Sequence, residues 1–346
     1  MVHQIFVLLA ALSCCFCCGT LAIENKDQHL RDLPCPPAED IQPCVCTVID
    51  SSTFDIEMDC SSVTTNDELA SIFSKDFPYN DFFSLVIDNN NHLTTIRPGD
   101  LGQKTFQEIH ISSGSLKTVE YNAFSSSYGT LTDLDITSTN LDYFPFNELN
   151  LFTQLDHLDL QNNLLHGSPL LTSSSLRYLY LSGNPIDGII LNSMPFLDNI
   201  YLRSTSITYL PPGTFTDLPN LDYIDLYYNG LQVLEAGTII LQTSSNSVYL
   251  YSNDLTSIAE GALVGLKGGY LYVQNNQLTE LAEAVFRPLM DDGVDVRASG
   301  NPLDCGCEIA WLVTSSTYMS LLDSDASCTS GQLVSELDPD MFAVIC

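Results

Sequence analysis

Leu155-Asp-His-Leu158-Asp-Leu160-Gln-Asn-Asn163-Leu-Leu165 is the stretch that decides how this chain folds. Its apolar residues follow the order L-x-x-L-x-L-x-x-N-x-L, and the order returns as Leu176-Leu179-Leu181-Asn184-Ile186 and Leu221-Ile224-Leu226-Asn229-Leu231. With looser matches, the Asn position falls at Asn90 or Asn91, Gly114, Thr139, Asn163, Asn184, Thr205, Asn229, Asn253, Asn276 and Asn301. Ten units follow, 21 to 25 residues apart, over two thirds of the chain. A fixed period of this size marks a stack of equivalent coils, each burying its apolar face against the next.

The period and wording are those of a leucine-rich repeat. The expected fold is an α/β-type solenoid: a horseshoe of about ten repeats with a parallel sheet on its concave side. In each unit the L-x-L core is a short strand whose alternate side chains point inward. The Asn turns inward where the strand bends and satisfies backbone groups there. Thr139 and Thr205 can do this more weakly; Gly114 cannot, so a looser turn is expected at that unit. A second apolar series, Leu101, Phe124, Phe215, Ile239, Leu263 and Phe286, lies five residues after Ile96, Val119, Leu210, Leu234, Ile258 and Leu281 and forms the convex spine.

Composition bounds the function. The chain has 346 residues, 45% of them hydrophobic, with 11 Lys+Arg against 43 Asp+Glu and a formal net charge of -32. Nucleic acid and anionic membrane surfaces would be repelled. Sixteen Tyr, sixteen Phe and the leucine pattern give more apolar surface than a disordered acidic chain carries. Residues 1–22 read as a signal peptide, with an apolar stretch Ile5 to Leu12 and Thr20 and Ala22 before the cleavage site. No acidic residue falls there, so the mature chain carries all of the negative charge. No other stretch is apolar enough to span a bilayer, and the expected product is secreted and released.

Four of the twelve cysteines lie in the signal segment, and the other eight form two groups: Cys35, Cys44, Cys46, Cys60 and Cys305, Cys307, Cys328, Cys346. Even groups of four imply either local disulfides in an oxidising compartment or cysteine zinc sites; Cys-x-Cys with widely spaced partners favours disulfides. They lie where a solenoid needs covers. The expected organisation is an extension at 23–34, a cysteine-rich cap at 35–81, repeats over 82–303 and a second cap at 304–346. Cys35-Pro36 through Cys60, followed by a short helix near Glu68 to Phe73, resembles the N-terminal cap of extracellular leucine-rich-repeat proteins. Asn301-Pro-Leu-Asp-Cys305-Gly-Cys307 with Trp311, Cys328 and Cys346 resembles their C-terminal cap. That resemblance implies the pairs Cys35 with Cys46, Cys44 with Cys60, Cys305 with Cys328 and Cys307 with Cys346; spacing alone allows three pairings per group.

Residues between the inward leucines face solvent on the concave side. Ten of the sixteen tyrosines are expected there: Tyr178, Tyr180, Tyr201, Tyr223, Tyr227, Tyr228, Tyr249, Tyr251, Tyr270 and Tyr272. Tyr180, Tyr201, Tyr249 and Tyr272 share one repeat position, interrupted by Asp225. Strands about 4.8 Å apart would stack these rings. Sheet propensity alone favours tyrosine in strands, while a rigid aromatic face is also the kind of surface that anchors a protein ligand. Asp133, Asp135, Asp156 and Asp159 form an acidic patch that a cationic partner segment or a calcium ion would relieve, with Arg177 and Arg203 placed to neutralise part of it. No N-x-Ser/Thr sequon occurs to cover either face with N-linked sugar.

Metal-hydrolase, nucleophile-elbow, phosphate-loop and dinucleotide fingerprints are absent. His29, His92, His110, His157 and His166 form no catalytic or metal constellation; His110 and His157 are expected on the concave face, and the default for His157 beside Asp156 and Asp159 is a solvated histidine of slightly raised proton affinity. No enzyme activity, cofactor or bound metal is expected. The segments Cys35-Pro-Pro-Ala-Glu-Asp-Ile-Gln-Pro-Cys44-Val-Cys46, Glu283-Ala-Val-Phe-Arg-Pro-Leu289, Cys305-Gly-Cys-Glu-Ile-Ala-Trp-Leu-Val313 and Ser335-Glu-Leu-Asp-Pro339 together resemble one arthropod family. It comprises the leucine-rich-repeat, non-catalytic subunit of decapod shrimp luciferase and related crustacean secreted proteins. The resemblance implies a secreted companion of other proteins without oxygenase activity, and it does not imply light production. Two functions fit: an accessory subunit that holds a secreted protein, such as an enzyme subunit, on the concave face, or a soluble recognition protein in immunity or cell-surface signalling.

Overall fold

The computed structural model describes residues 35–346 except residues 54, 244 and 245. The signal peptide and extension expected at 1–34 lie outside the described residues. The architecture follows from the repeat. One 12-stranded sheet runs through it in chain order: β1 (Val45–Asp50), β2 (Asp55–Asp59), β3 (Asp81–Asp88), β4 (Thr105–Ser112), β5 (Asp133–Thr137), β6 (His157–Asp159), β7 (Tyr178–Tyr180), β8 (Asn199–Tyr201), β9 (Tyr223–Asp225), β10 (Ser247–Tyr249), β11 (Tyr270–Tyr272) and β12 (Asp295–Arg297). β1 is antiparallel to β2; every later neighbour is parallel. Among the described residues, no helix is long and apolar enough to cross a membrane.

Strands as short as three residues hold because their central side chain is fully buried while its neighbours stay half-exposed, as in β6, β7 and β9. Leu158, Leu160, Leu179, Leu181, Ile224 and Leu226 are all 0% exposed and belong to one continuous core. Each contributes roughly 1.5–3 kcal/mol of apolar burial. The convex spine is buried as expected, with Leu101, Phe124, Phe215, Ile239, Leu263 and Phe286 all in the core. Short parallel pairs line that side, among them Leu170–Leu171 with Ile190–Leu191 and Ile239–Ile240 with Leu263–Val264.

Where each strand bends, an asparagine joins two turns. Asn276 Nδ2 donates to Leu250 O of the preceding unit at 2.9 Å and to Val273 O of its own at 3.0 Å, while its Oδ1 accepts from Leu255 N at 2.9 Å. Asn184, Asn253 and Asn301 repeat the arrangement. In the first unit the buried asparagine is Asn90, and Asn91 is exposed. The threonine turns are served from the next unit: Asn163 Oδ1 accepts from Thr139 N and Oγ1, and Asn229 Oδ1 from Thr205 N and Oγ1. Gly114 overturns the looser turn expected there. Its Cα lies so close to the preceding unit that an added Cβ would fall 2.5 Å from Asn90 O, and Ser115 N donates to that same carbonyl at 2.9 Å. Glycine therefore lets the backbone approach the preceding unit closely, while Leu93 N, the amide that a following asparagine would serve, is met by Asn90 Oδ1.

Both ends are covered as the cap resemblance implied. The bridges are Cys35–Cys46, Cys44–Cys60, Cys305–Cys328 and Cys307–Cys346. At the N-terminal end, α1 (Ala38–Ile41) precedes β1, and α2 (Asn66–Phe73) follows β2. The second helix begins two residues before the expected Glu68. Thr65 caps it by accepting from Glu68 N, and Glu68 reaches back to Thr64 N. At the other end, α3 (Glu283–Asp291) closes the last convex turn, and α4 (Ala310–Val313), α5 (Ser316–Ser320) and α6 (Pro339–Ile345) cover the core. Trp311 Nε1 donates to Leu281 O at 3.1 Å, tying this cover to the last repeat.

Replacing Asn276 by Ala leaves Leu255 N without its partner and takes one of two donors from Leu250 O, which keeps Asn253, and from Val273 O, which keeps Asn301, and is expected to lower the unfolding free energy by about 1–3 kcal/mol. Asn91→Ala, at an exposed position, is expected to change it by no more than about 0.5 kcal/mol. Urea unfolding of the two variants side by side checks both.

Candidate binding surface

Register aligns the outward residues of the concave sheet into columns. The central column reads His110, Asp135, Asp159, Tyr180, Tyr201, Asp225, Tyr249, Tyr272 and Arg297. The column beside it reads Glu108, Asp133, His157, Tyr178, Asn199, Tyr223, Ser247, Tyr270 and Asp295. The face therefore has an acid and histidine zone on β4 to β6 and an aromatic zone on β7 to β11.

In the aromatic zone Tyr180 stacks on Tyr201 with centroids 4.5 Å apart and planes 11° apart, and Tyr249 stacks on Tyr272 at 4.4 Å and 11°. Asp225 leaves a gap between these pairs, which the sequence reading took as an interruption. Tyr223 leans into it from the adjacent column, 4.9 Å from Tyr201 and 4.9 Å from Tyr249, and the row of rings is continuous. Tyr270 extends it beyond Tyr272, and Tyr227 and Tyr251 stack beside it at 3.8 Å. Offset pairs of this kind add about 0.5–1.5 kcal/mol each beyond burial and hold the rings in place. Burial pushes the Tyr180 phenol up to about 12, and it raises Tyr223, Tyr251 and Tyr272 as well, so these hydroxyls remain neutral donors.

Tyr228, also expected on this face, stands elsewhere. It has a φ of 59° at the turn after β9 and is 63% exposed, touching the concave rings only edge-on through Tyr227. The left-handed backbone of Tyr228, past the end of the strand, turns its side chain out of the column that Tyr227 joins.

The acid zone carries its own counter-ions. His110 Nδ1 lies 2.8 Å from Asp135 Oδ2 and its Nε2 lies 3.0 Å from Glu108 Oε2. The hydrogen bond to Asp135, joined by that to Glu108, outweighs burial and pushes the imidazole up to about 9. His110 is thus an imidazolium between two carboxylates, half-buried and with its proton affinity raised well beyond the slight rise expected of a solvated histidine, and Glu108 is a member of the zone that the sequence alone did not single out. His157 Nδ1 lies 3.2 Å from both Asp133 Oδ1 and Asp156 Oδ2, and its ring stacks on Tyr178 at 4.4 Å. Asp156 stands just before β6, at the margin of the face. Arg177 reaches Asp156 and Asp198 at 3.8 Å each, as part of the neutralisation expected of it. Arg203 lies away from the patch, over the Tyr227 ring at 4.6 Å. Among the described residues no group of three or more His, Cys, Asp or Glu side chains is placed to hold a metal ion, so the calcium reading of the patch loses its support.

The chain is 40% identical over 342 residues to the Oplophorus-luciferin 2-monooxygenase non-catalytic subunit of Oplophorus gracilirostris, an alignment covering 95% of this chain and 94% of that protein. The chain belongs to that family. Membership in this non-catalytic-subunit family agrees with a leucine-rich-repeat scaffold that is not an enzyme. Leucine rich repeat family models match residues 195–241 and 175–197. A second relative, Tsukushi of Gallus gallus, is 24% identical over 240 residues, covering 64% of this chain and 65% of that protein. Among solved structures, a chain of the octameric complex of latrophilin 3, Unc5D and FLRT2 superposes with a TM-score of 0.66 at 19% identity, covering 90% of this chain and all of that one. It shares the fold.

His110 also links this family member's stability to pH. A histidine raised from 6.5 to about 9 in the folded state stabilises fully below pH 6.5, and the contribution is lost as pH rises through about 9. Because the group is only half-buried, solvent screening reduces the effect to on the order of 1 kcal/mol. Thermal unfolding across that window should show a decline that His110→Gln removes.

Proposed function

We propose that this chain is a secreted, non-enzymatic accessory subunit that holds a protein partner, most naturally a secreted enzyme subunit, on its concave face. The observation that carries the reading is the unbroken row of rings from Tyr180 to Tyr270 on a sheet anchored by its core. Rings already stacked lose little freedom when a partner packs against them, so more of the contact energy appears as affinity. Tyrosine is among the residues that dominate binding hot spots. Family membership supports the role of a companion, since the full-length relative is named as a subunit of a larger enzyme. Four disulfides fit an oxidising extracellular compartment. The acid and histidine zone, with Asp133, Asp135, Asp156 and Asp159, borders the aromatic row and would orient the partner.

Affinity purification of the protein from native secretion, with mass spectrometry of what accompanies it at constant stoichiometry, identifies the partner. Replacing Tyr201 and Tyr249 together by Ala should then weaken binding about tenfold or more, the loss expected of a hot-spot pair. Circular dichroism should remain that of the parent. Unchanged affinity would refute the assignment of the concave face.

A further inference from the structure

The aromatic row is not uniform in charge. Its central column carries one carboxylate at the start, Asp159, and another inside it, Asp225, with Tyr180 and Tyr201 between. Three strand spacings of about 4.8 Å separate the two acids by about 14 Å. Both are half-buried on the face. Asp159 accepts from Gln161 N and Nε2 at 2.9 Å, and Asp225 accepts from Tyr227 N at 2.9 Å. Neither makes an ion pair among the described residues, unlike Asp135 and Asp156, which are met by His110 and Arg177. Burial holds both carboxylates above their ordinary range, with Asp135 adding to the effect at Asp159 and the charge of Arg203 opposing part of it at Asp225. An arriving cation would relieve that desolvation.

The protein's own arginines show what these rings accept. Arg203 lies over Tyr227 at 4.6 Å, Arg177 over Tyr178 at 5.2 Å and Arg297 over Tyr270 at 5.7 Å, all at the margins of the row. A guanidinium over a tyrosine face is attracted by the ring quadrupole, more so when water is excluded. Between the margins, the column offers rings and two carboxylates without ion pairs, Asp225 being partly offset at longer range by Arg203, and no cation within the column until Arg297.

We infer that the concave face recognises a protein segment bearing two arginine side chains about 14 Å apart, one for Asp159 and one for Asp225, with the intervening segment lying across Tyr180 and Tyr201. In extended backbone this separation corresponds to arginines about four residues apart. The inference rests on the concave-face reading and adds to it the chemistry of the occupant.

The test uses two synthetic peptides of identical composition, one with arginines at every fourth position among serines and one with the arginines contiguous. Equal composition cancels the general attraction of cations to an acidic protein. Fluorescence anisotropy should show the spaced peptide binding about threefold or more tighter to the intact protein. Asp159→Asn with Asp225→Asn should erase that preference. The charge-matched pair Asp217→Asn with Asp254→Asn, at exposed positions off the row, should retain it. Equal binding of the two peptides, or equal effects of the two variant pairs, overturns the inference. If the purified partner loses affinity with the Tyr201 and Tyr249 variants but not with the Asp159 and Asp225 variants, the concave-face reading stands and the arginine segment falls. If neither set weakens the partner, both fall.

Discussion

The fold depends on one recurrent interaction, an amide side chain that closes its own turn and the turn before it at once. Asn184, Asn253, Asn276 and Asn301 each donate to two carbonyls in successive units and accept one amide hydrogen. A buried backbone group without a partner costs about 1–3 kcal/mol, so the bend at each strand end is tenable only where such a partner is supplied. Inward leucines provide most of the stabilisation, while the asparagines determine where each unit sits on the last.

That spacing is what the concave face inherits. Strands held at a fixed interval bring tyrosines to the distance at which their rings stack, so the aromatic row is a consequence of the backbone repeat as much as of the tyrosines themselves. The zoning along the face arises in the same way. His110 meets Glu108 because residues two apart on a strand share a side, and it meets Asp135 because register puts them opposite each other. A chain so acidic thereby meets part of the charge on one half of its inner face with His110 and Arg177, and leaves Asp159 and Asp225 without an ion pair among the described residues.

Much of this was legible in the sequence because the repeat translates position directly into direction. The column of Tyr180, Tyr201, Asp225, Tyr249 and Tyr272, the buried convex spine and the two disulfide caps all follow from counting residues or from the cap wording. What escaped was contributed by side-chain rotation and by contacts between units. Tyr223 could be placed one column over, but its lean into the gap beside Asp225 depends on a rotamer. Gly114 brings no side chain to the bend, and there the backbone approaches the preceding unit closely while Asn90 serves its own turn. Tyr228 was misplaced because the chain turns left-handed there, past the end of β9, which counting along the strand does not show. Glu108 could have been found by carrying the columns back to the first repeats.

The two covers also decide where the coil can come undone. A linear stack ordinarily frays from its ends, where a terminal unit has only one neighbour. Here Cys35–Cys46 and Cys44–Cys60 clamp one end, and Cys305–Cys328 and Cys307–Cys346 clamp the other. Each cover is held together as one unit, so fraying from either end requires a whole disulfide-stapled cover to leave the repeat beside it, and not one residue at a time.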